Sequence, residues 1–190
     1  MNSHPTLIMV RGLPGSGKSY LTIALQTALG ADNVVILDPD STDYKSSEYL
    51  EHTKALTEQD VDVKFHPYRF IRAKAHKAIE DHKILIWNQP FMDLDGFNKT
   101  ITNLTTYAGE RNIKLPFLVV EVEAPPHTAK ERVDTRKSQG GHGPSDDTFA
   151  RFVGQYASFA DKGHDVIAVN GHDDVAVAVA TVKEALRSLA

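Results

Sequence analysis

The stretch Gly12-Leu13-Pro14-Gly15-Ser16-Gly17-Lys18-Ser19 decides the fold of this chain. It follows a short apolar run from Thr6 to Arg11, and it leads into a segment from Ser19 to Leu29 with helical spacing of apolar residues. Gly30 then stands where a glycine often ends a helix. The glycines of the stretch allow tight turns, so that successive backbone N–H groups can point inward at phosphate oxygens. A strand, this loop and a helix in that order predict a phosphate-binding loop.

Two side chains at the end of this loop supply charge and a metal ligand. Lys18 can reach the β- and γ-phosphates of a nucleotide, and the Ser19 hydroxyl can ligate magnesium. The positive end of the helix that begins here adds to the attraction for phosphate. We therefore expect ATP and Mg²⁺ as cofactors, with Lys18 catalytic and Ser19 the metal ligand. The expected nucleotide-binding residues are Gly12, Leu13, Pro14, Gly15, Ser16, Gly17, Lys18, Ser19 and Tyr20.

Short apolar runs alternate with helical segments along the whole chain. The predicted strands are Thr6–Arg11, Val34–Leu37, Ile84–Trp87, Phe117–Val122 and Val166–Val169. The helices predicted after the first are Ser46–Leu56, Tyr68–His82, Gly96–Asn112, Thr128–Lys137, Ser145–Phe159 and Asp173–Leu189. Strands joined by helices imply right-handed crossovers and a parallel sheet covered on both faces. We expect one P-loop domain over residues 1–190, a three-layer α/β fold with a five-stranded parallel sheet.

The composition narrows the classes of function. The chain has 190 residues and a formal net charge of −4, which gives no long-range attraction to nucleic acid or to an anionic membrane. It contains no cysteine, so disulfides and thiolate chemistry are excluded. No apolar run reaches the length of a membrane span, and the first residues lack the charged and apolar regions of a signal peptide. We expect a cytoplasmic protein without a membrane partner.

Acidic and amide side chains follow two of the predicted strands. Asp38 and Asp40 come directly after the second strand, and Asn88 follows the third. Ligands of parallel sheets collect at the carboxyl ends of the strands, so we expect Asp38, Asp40 and Asn88 to bind the substrate. Asp40 would also be catalytic, accepting a proton from an acceptor hydroxyl; the alternative is that both aspartates cap the next helix. A neutral Asn88 cannot be the usual metal-organising carboxylate, which weakens the case for a motor ATPase.

Arginines flank a glycine-rich segment. Arg132 and Arg136 are four residues apart and so share one face of a predicted helix, and residues 138–145 follow as a mobile lid. We expect both arginines to be catalytic, closing over the triphosphate and stabilising charge in the transition state. His142 within the lid and Arg151 beyond it are further candidates. The alternative is a solvated helix whose arginines pair with neighbouring acids.

Two other segments are candidates for ligand contacts. Residues 41–67 form an insert that we expect to wall the site of the acceptor. Aromatic side chains in and beside it are candidates for stacking, namely Tyr44, Tyr49, Phe65 and Tyr68. Asn170-Gly171, after the last strand, is the expected place where backbone approaches an adenine base.

These features together resemble the small P-loop kinases, a group that includes gluconate kinases, the kinase domain of polynucleotide kinases, chloramphenicol phosphotransferase and the zeta-type toxins. The resemblance to the zeta toxins is the most detailed. The loop Gly12–Ser19 is similar to that family's loop, Val35–Ser41 looks like its Ile-Asp-Asn-Asp-Thr stretch, and Lys64–Tyr68 resembles the segment that opens its following helix. The resemblance covers most of the chain and implies a P-loop phosphotransferase.

The resemblance also implies roles for single residues. In the zeta toxins the second Asp of that stretch is the proposed base that activates a sugar hydroxyl, and this role falls to Asp40. Lys18 and Arg132 match positions that handle phosphate. The family's glutamate after the third strand falls at Asn88, a departure in the part that recognises an amino-sugar nucleotide.

The leading hypothesis is an ATP- and magnesium-dependent kinase that phosphorylates a hydroxyl of a small molecule, such as a sugar or nucleotide sugar. A 5′-hydroxyl nucleic-acid kinase is an alternative, for which a basic groove would come from Lys64, Arg69, Arg72, Lys74 and Lys77. A toxin or regulator controlled by an antitoxin-like protein partner is another. A nucleotide-binding module without transferase activity is the last.

Overall fold

A computed structural model describes residues 4–189 of the chain. Residues 1–3 and 190 lie outside the described residues. The expected domain includes all four of them, and residues 1–3 belong to the start of the chain that was expected to lack a signal peptide. The strands are β1 (Thr6–Arg11), β2 (Val34–Leu37), β3 (Ile84–Asn88), β4 (Phe117–Glu123) and β5 (Val166–Asn170). They form one sheet in the order β2-β3-β1-β4-β5, with every neighbouring pair parallel. The five-stranded parallel sheet expected from the sequence is confirmed.

Helices cover both faces of this sheet. They are α1 (Lys18–Leu29), α2 (Ser47–Glu58), α3 (His66–Glu80), α4 (Leu94–Gly109), α5 (Pro126–Ser138), α6 (Asp146–Gln155) and α7 (Val175–Leu189). Alternate residues of β1 point to opposite cores: Leu7 packs with α3 and α4, and Ile8 packs with α1 and α7. None of the helices within residues 4–189 combines the length and hydrophobicity needed to span a bilayer.

A buried arginine joins the end of β1 to two loops. Arg11 is fully buried and forms an ion pair with Glu121 of β4. Its guanidinium group donates to the carbonyl oxygens of Phe91 at 3.1 Å and of Ala157 at 3.0 Å. Glu121 also accepts a hydrogen bond of 2.7 Å from the backbone N–H of Phe159. The loop after β3 and the chain leaving α6 are therefore held beside the phosphate loop, which begins at the next residue.

These contacts explain the largest error in the predicted helix bounds. The helix capped by Ser145 was expected to run to Phe159, but α6 ends at Gln155. The cap itself is as expected, because the Ser145 hydroxyl accepts a hydrogen bond from the backbone N–H of Thr148. Beyond Gln155 the backbone groups bind the Arg11–Glu121 pair, and Tyr156 is extended. The other helices differ from their predicted bounds by a few residues at their ends, where sequence signals are weakest.

Candidate active site

The phosphate loop is held in place by contacts that only glycine permits. Gly12 and Gly15 have φ angles of +149° and +84°, which side chains other than hydrogen rarely allow. A Cβ atom at Gly15 would lie 2.1 Å from the carbonyl oxygen of Ala129 in α5, and one at Gly12 would lie 2.4 Å from that of Val122 in β4. The loop therefore packs directly against the backbone of β4 and α5, so its N–H groups are fixed before any phosphate binds.

Lys18 lies at the base of this loop with little access to water. It is 8% exposed, and its Nζ donates to the carbonyl oxygen of Leu13 at 2.9 Å. Burial lowers the pKa of Lys18 to about 8; the negative charges of Asp38 and Asp40 oppose that shift, and the charge of Arg136 adds to it. A protonated lysine in this place lacks part of its hydration, so it is poised to gain from an anionic ligand.

Three of the predicted site residues form one hydrogen-bonded cluster. The side-chain N–H₂ of Asn88 donates to the Ser19 hydroxyl at 3.1 Å and to the Asp38 carboxylate at 2.7 Å. Burial raises the pKa of Asp38, against the lowering effect of the hydrogen bonds from the Asp40 backbone N–H and from Asn88. An amide suits position 88 because both neighbouring groups accept its hydrogens, whereas a carboxylate there would face another carboxylate.

The cluster fits a magnesium ion that is shared with phosphate oxygens. Asn88 is 4% exposed, and its Oδ1 has no hydrogen-bond partner within the described part of the chain. Residues 4–189 contain no group of three His, Cys, Asp or Glu side chains that could hold a metal alone. Magnesium in nucleotide sites commonly takes one or two protein oxygens and otherwise phosphates and water. The Ser19 hydroxyl and the Asp38 carboxylate could supply such oxygens, and the free Oδ1 of Asn88 could accept a hydrogen bond from water near the ion.

Asp40 lies beside this cluster and faces the cavity. Its backbone N–H donates to Asp38 at 2.9 Å in a short 3₁₀ helix, Pro39–Ser41. Its own carboxylate is exposed, lines the cavity and makes no ion pair within residues 4–189. Asp38 therefore does cap the turn, as the alternative interpretation required, whereas the carboxylate of Asp40 is available to a ligand.

The arginines after β4 occupy two different places. Arg132 donates to the carbonyl oxygen of Gly171 at 3.1 and 3.2 Å and to that of Gly15 at 3.3 Å, which holds it between the phosphate loop and the end of β5. Arg136 lines the cavity further along the same helix. After burial, which is the main cause, its positive charge contributes to lowering the pKa of Lys18. The two side chains thus line one cavity, as expected from their spacing, but backbone groups already bind Arg132.

The two further candidates in and beyond the lid, His142 and Arg151, lie in different places. His142 lines the cavity together with Gly143 and Pro144. Arg151 is exposed outside the lining, with its guanidinium group 5.8 Å from the ring of Phe152. The structure thus places His142 with the other site residues and Arg151 away from them.

The cavity has a volume of about 990 Å³ and extends from the phosphate loop into a chamber between α3 and α4. We call this the α3–α4 chamber; its lining includes Tyr68 and Arg72 from α3, Gln89 and Phe91 from the loop after β3, and Thr100 and Asn103 from α4. One continuous space therefore joins Lys18, Asp40 and this chamber.

Of residues 41–67, which we expected to wall the site of the acceptor, Ser41 lines this cavity. Tyr49 is buried and packs edge-to-face on Phe70 with ring centroids 5.2 Å apart, so it is a core residue. Tyr44 packs on Tyr49 in the same way, and Phe65 lies outside the lining. Tyr68 is the aromatic candidate that does face the cavity.

Sequence reasoning missed most of the chamber. Two spacings were visible: Tyr68 and Arg72 are four residues apart on α3, and Thr100 and Asn103 are three apart on α4. Each pair shares a helix face, but polar residues at such spacing are usually taken for a solvated face. That α3 and α4 present these faces to each other depends on the packing of the sheet.

A small cleft lies behind the phosphate loop, at the end of β5. Its lining includes Tyr20, Asn170 and Gly171, and its volume is about 30 Å³. A Cβ atom at Gly171 would lie 1.9 Å from the carbonyl oxygen of Ser16. The end of β5 thus touches the loop closely, at the place where the sequence suggested an adenine site.

Comparison with known proteins gives a family and several similar folds. The sequence model of an AAA domain matches residues 7–161, and a search of curated proteins returns no match. A candidate kinase from Chloroflexus aurantiacus J-10-fl is similar over 96% of this chain and 98% of its own, with TM-score 0.66 and 18% identity. A gluconokinase from Sinorhizobium meliloti 1021 is similar over 98% and 94%, with TM-score 0.59 and 16% identity. A chain of the Pnkp1/Rnl/Hen1 RNA repair complex is similar over 87% of this chain and 48% of its own, with TM-score 0.57 and 20% identity.

Proposed function

This chain belongs to the family of AAA domains, and we propose that it is a kinase, which uses ATP and magnesium to phosphorylate a hydroxyl group of a small molecule. The observation that carries the proposal is the single cavity that joins the phosphate loop to the α3–α4 chamber and has Asp40 in its lining. A hydrolase acting on water needs no second chamber of this kind. Two of the similar structures are a gluconokinase and a candidate kinase, which supports the same class of reaction.

The nucleotide would lie along the phosphate loop. Free backbone N–H groups of the loop and the ammonium group of Lys18 would bind the phosphates, and the positive end of α1 adds to the attraction. The adenine base would lie toward Tyr20 and Gly171, where Arg132 offers a flat guanidinium face. Arg132 thus serves the base end of the nucleotide in this proposal, and Arg136 the γ-phosphate end.

Magnesium would be held by the Ser19 hydroxyl and the Asp38 carboxylate, with Asn88 orienting both. When bound, the ion supplies charge that neutralises the phosphate oxygens. Burial raises the pKa of Asp38 in the protein without ligands, and a cation beside it would favour the ionised carboxylate.

In the transfer step, Asp40 accepts the proton of the acceptor hydroxyl as its oxygen bonds to the γ-phosphorus. The bond from the γ-phosphorus to the bridging oxygen breaks, and ADP leaves. Arg136 and Lys18 stabilise the charge on the transferring group. The lid residues His142 to Pro144 line the same cavity, so their closure would exclude water and favour transfer over hydrolysis.

The α3–α4 chamber suits a small-molecule acceptor better than a nucleic acid. The chamber is bounded on two sides by α3 and α4. Of the five basic residues that would form a groove, Lys64 pairs with Asp62 and Lys77 pairs with Asp81. Arg72 is the one that lines the cavity. Nucleotide sugars, the acceptors that the zeta-toxin resemblance implies, belong among the acceptors to be tested.

The experiment measures ADP release with ATP and magnesium across sugars, sugar acids, nucleotide sugars, nucleosides and 5′-hydroxyl oligonucleotides. Asp40→Asn is compared with Asp43→Asn, an exposed residue three positions along and outside the cavity. Loss of the general base should reduce acceptor-stimulated turnover by about 10²- to 10⁴-fold, with the Kd for ATP nearly unchanged and the Asp43 variant fully active. An Asp40→Asn protein that retains acceptor-stimulated turnover would show that Asp40 is not the base. Tight ATP binding with no response to any acceptor would favour a regulator or binding module.

A further inference from the structure

Arg72 is a charged residue of the α3–α4 chamber that the transfer step does not use. It lies one turn after Tyr68 on α3, is half-buried, and lines the cavity. No ion pair within residues 4–189 involves it, although Lys77 on the same helix pairs with Asp81. The guanidinium group has thus lost part of its hydration without gaining a carboxylate partner, and an anionic ligand would supply one.

Two of the other polar side chains that line the chamber with Arg72 are neutral amides, Gln89 and Asn103. The Gln89 side-chain oxygen accepts from the Trp87 indole N–H at 3.1 Å, which leaves the Gln89 N–H₂ for a ligand. Asn103 also lines the chamber, with a neutral amide. The one acid of the chamber lining apart from Asp38 and Asp40 is Asp93, and its two oxygens cap α4 by accepting from backbone N–H groups at 3.2 and 2.8 Å.

The charges of the cavity therefore divide into two sets. Lys18, Arg132 and Arg136 lie with the phosphate loop and the helix that follows β4. The nucleotide phosphates would balance Lys18 and Arg136, and backbone carbonyl oxygens already bind Arg132. Asp38 and Asp40 line the same cavity, and the short 3₁₀ helix Pro39–Ser41 contacts α3. On the chamber side the remaining cation is Arg72, and an acceptor is the group that would balance it.

We propose that the acceptor carries an oxyanion, a carboxylate or a phosphate monoester, which binds Arg72 in the α3–α4 chamber while a hydroxyl group of the same molecule faces Asp40. This inference rests on the proposed kinase function and adds the class of its substrate. A guanidinium group can bind a carboxylate or phosphate through two parallel hydrogen bonds, and the amides of Gln89 and Asn103 supply further donors. The aromatic side chains of Tyr68 and Phe91 line the same space, and aromatic side chains suit the carbon skeleton of a sugar.

The test compares acceptors that differ only in the charged group: gluconate with sorbitol, and glucose 6-phosphate with glucose. Arg72→Met removes the charge and keeps an apolar side chain of similar length. Arg72→Lys keeps the positive charge but lacks the paired N–H donors of the guanidinium group. Arg69→Met is the matched control, since Arg69 is exposed on α3 and outside the cavity. The readouts are kcat/KM for each acceptor, and the shift in Tm that each acceptor causes with magnesium and a non-hydrolysable ATP analogue.

The wild-type protein should prefer the charged acceptor to its neutral counterpart. A preference for gluconate would identify the oxyanion as a carboxylate, and a preference for glucose 6-phosphate would identify it as a phosphate. Arg72→Met should reduce that preference by about 10- to 100-fold, the usual loss for a hydrogen bond between charged groups, with Arg72→Lys in between and Arg69→Met unchanged. A wild-type protein that prefers the neutral members, or an equal loss on both members in Arg72→Met, would overturn the inference and leave the kinase proposal standing.

The Tm measurement separates the two proposals if no acceptor is phosphorylated. Charged acceptors that stabilise the wild-type protein but not Arg72→Met would support the oxyanion site while the kinase proposal fails. No difference between charged and neutral acceptors in either readout would refute the oxyanion site.

Discussion

Lys18→Met is expected to stabilise the protein without ligands near neutral pH, although it removes a side chain that we propose binds phosphate. Lys18 is 8% exposed, and burial lowers its pKa from 10.5 to about 8. Asp38 and Asp40 offset part of this effect, and Arg136 adds to it. The native state therefore holds a protonated lysine that is more weakly solvated than in the unfolded chain.

The size of the effect follows from the pKa. One pKa unit corresponds to about 1.36 kcal/mol, so the change from 10.5 to about 8 lowers the free energy of unfolding by about 3 kcal/mol at pH 7. The variant escapes this penalty but loses the hydrogen bond from Nζ to the carbonyl oxygen of Leu13, 2.9 Å long and worth about 1 kcal/mol. The expected net gain is about 2 kcal/mol, because the desolvation of the charge outweighs the hydrogen bond.

The gain should depend on pH with a definite sign. From about pH 8 to 10.5 the unfolded chain binds more protons at this lysine than the folded chain does, so wild-type stability rises with pH relative to the variant. At about pH 10 most of the penalty has gone, and the two proteins should have nearly equal free energies of unfolding.

Urea unfolding at several pH values, followed by the fluorescence of the single tryptophan, measures this difference. That tryptophan, Trp87, is 6% exposed in the folded chain and becomes accessible on unfolding. Lys99→Met, on the exposed face of α4, controls for the loss of one surface charge. The reasoning is refuted if Lys18→Met is less stable than wild type at pH 7, or if the gap between them is the same at every pH.

Three further changes test other parts of the structure. Asn88→Asp should reduce turnover at least about tenfold and add a second step to the pH–rate profile, because two carboxylates would stand where the amide now donates to Asp38 at 2.7 Å. Glu121→Gln should lower the free energy of unfolding in urea by about 3–5 kcal/mol, since it leaves the charge of Arg11 buried without its partner; unchanged stability would contradict this. Gly171→Ala should weaken ATP binding at least about tenfold in calorimetry, because the new Cβ would lie 1.9 Å from a loop carbonyl. The glycine inside α6, whose Cβ would meet nothing, is its control.

The phosphate loop and the sheet could be predicted because their signals are local. The spacing of Gly12, Gly15 and Lys18 along the chain is enough to predict the loop. The apolar composition of a run such as Ile84–Trp87 is enough to predict that it is buried. Asp38 and Asn88 were both expected at the carboxyl ends of their strands, where ligands of parallel sheets collect, but the sequence did not give the order of the strands. The structure places β2 next to β3, and the hydrogen bond between the two side chains results from that pairing.

The α3–α4 chamber could not be predicted, because its lining comes from helices whose relative placement is a tertiary result. Arg72 and Asn103 are separated by a strand and two loops. The sequence offered the insert at residues 41–67 as the wall, and its aromatic residues were a reasonable choice by type alone. Tyr49 instead packs on Phe70 in the core, which shows that an aromatic side chain near a site is as useful for packing as for binding a ligand.

Arg11 is a second residue whose type and position near the site do not decide its role. Its place next to the phosphate loop would suggest contact with a nucleotide, and its charge does lower the pKa of Lys18 slightly, after burial and other effects. Its N–H groups, however, bind Glu121 and the carbonyl oxygens of Phe91 and Ala157, and the side chain is fully buried outside the cavity lining. The guanidinium group is therefore part of the scaffold that holds the chamber loop and the end of α6. Glu121→Gln distinguishes the two roles, because a scaffold residue changes the free energy of unfolding while a nucleotide ligand changes the Kd for ATP.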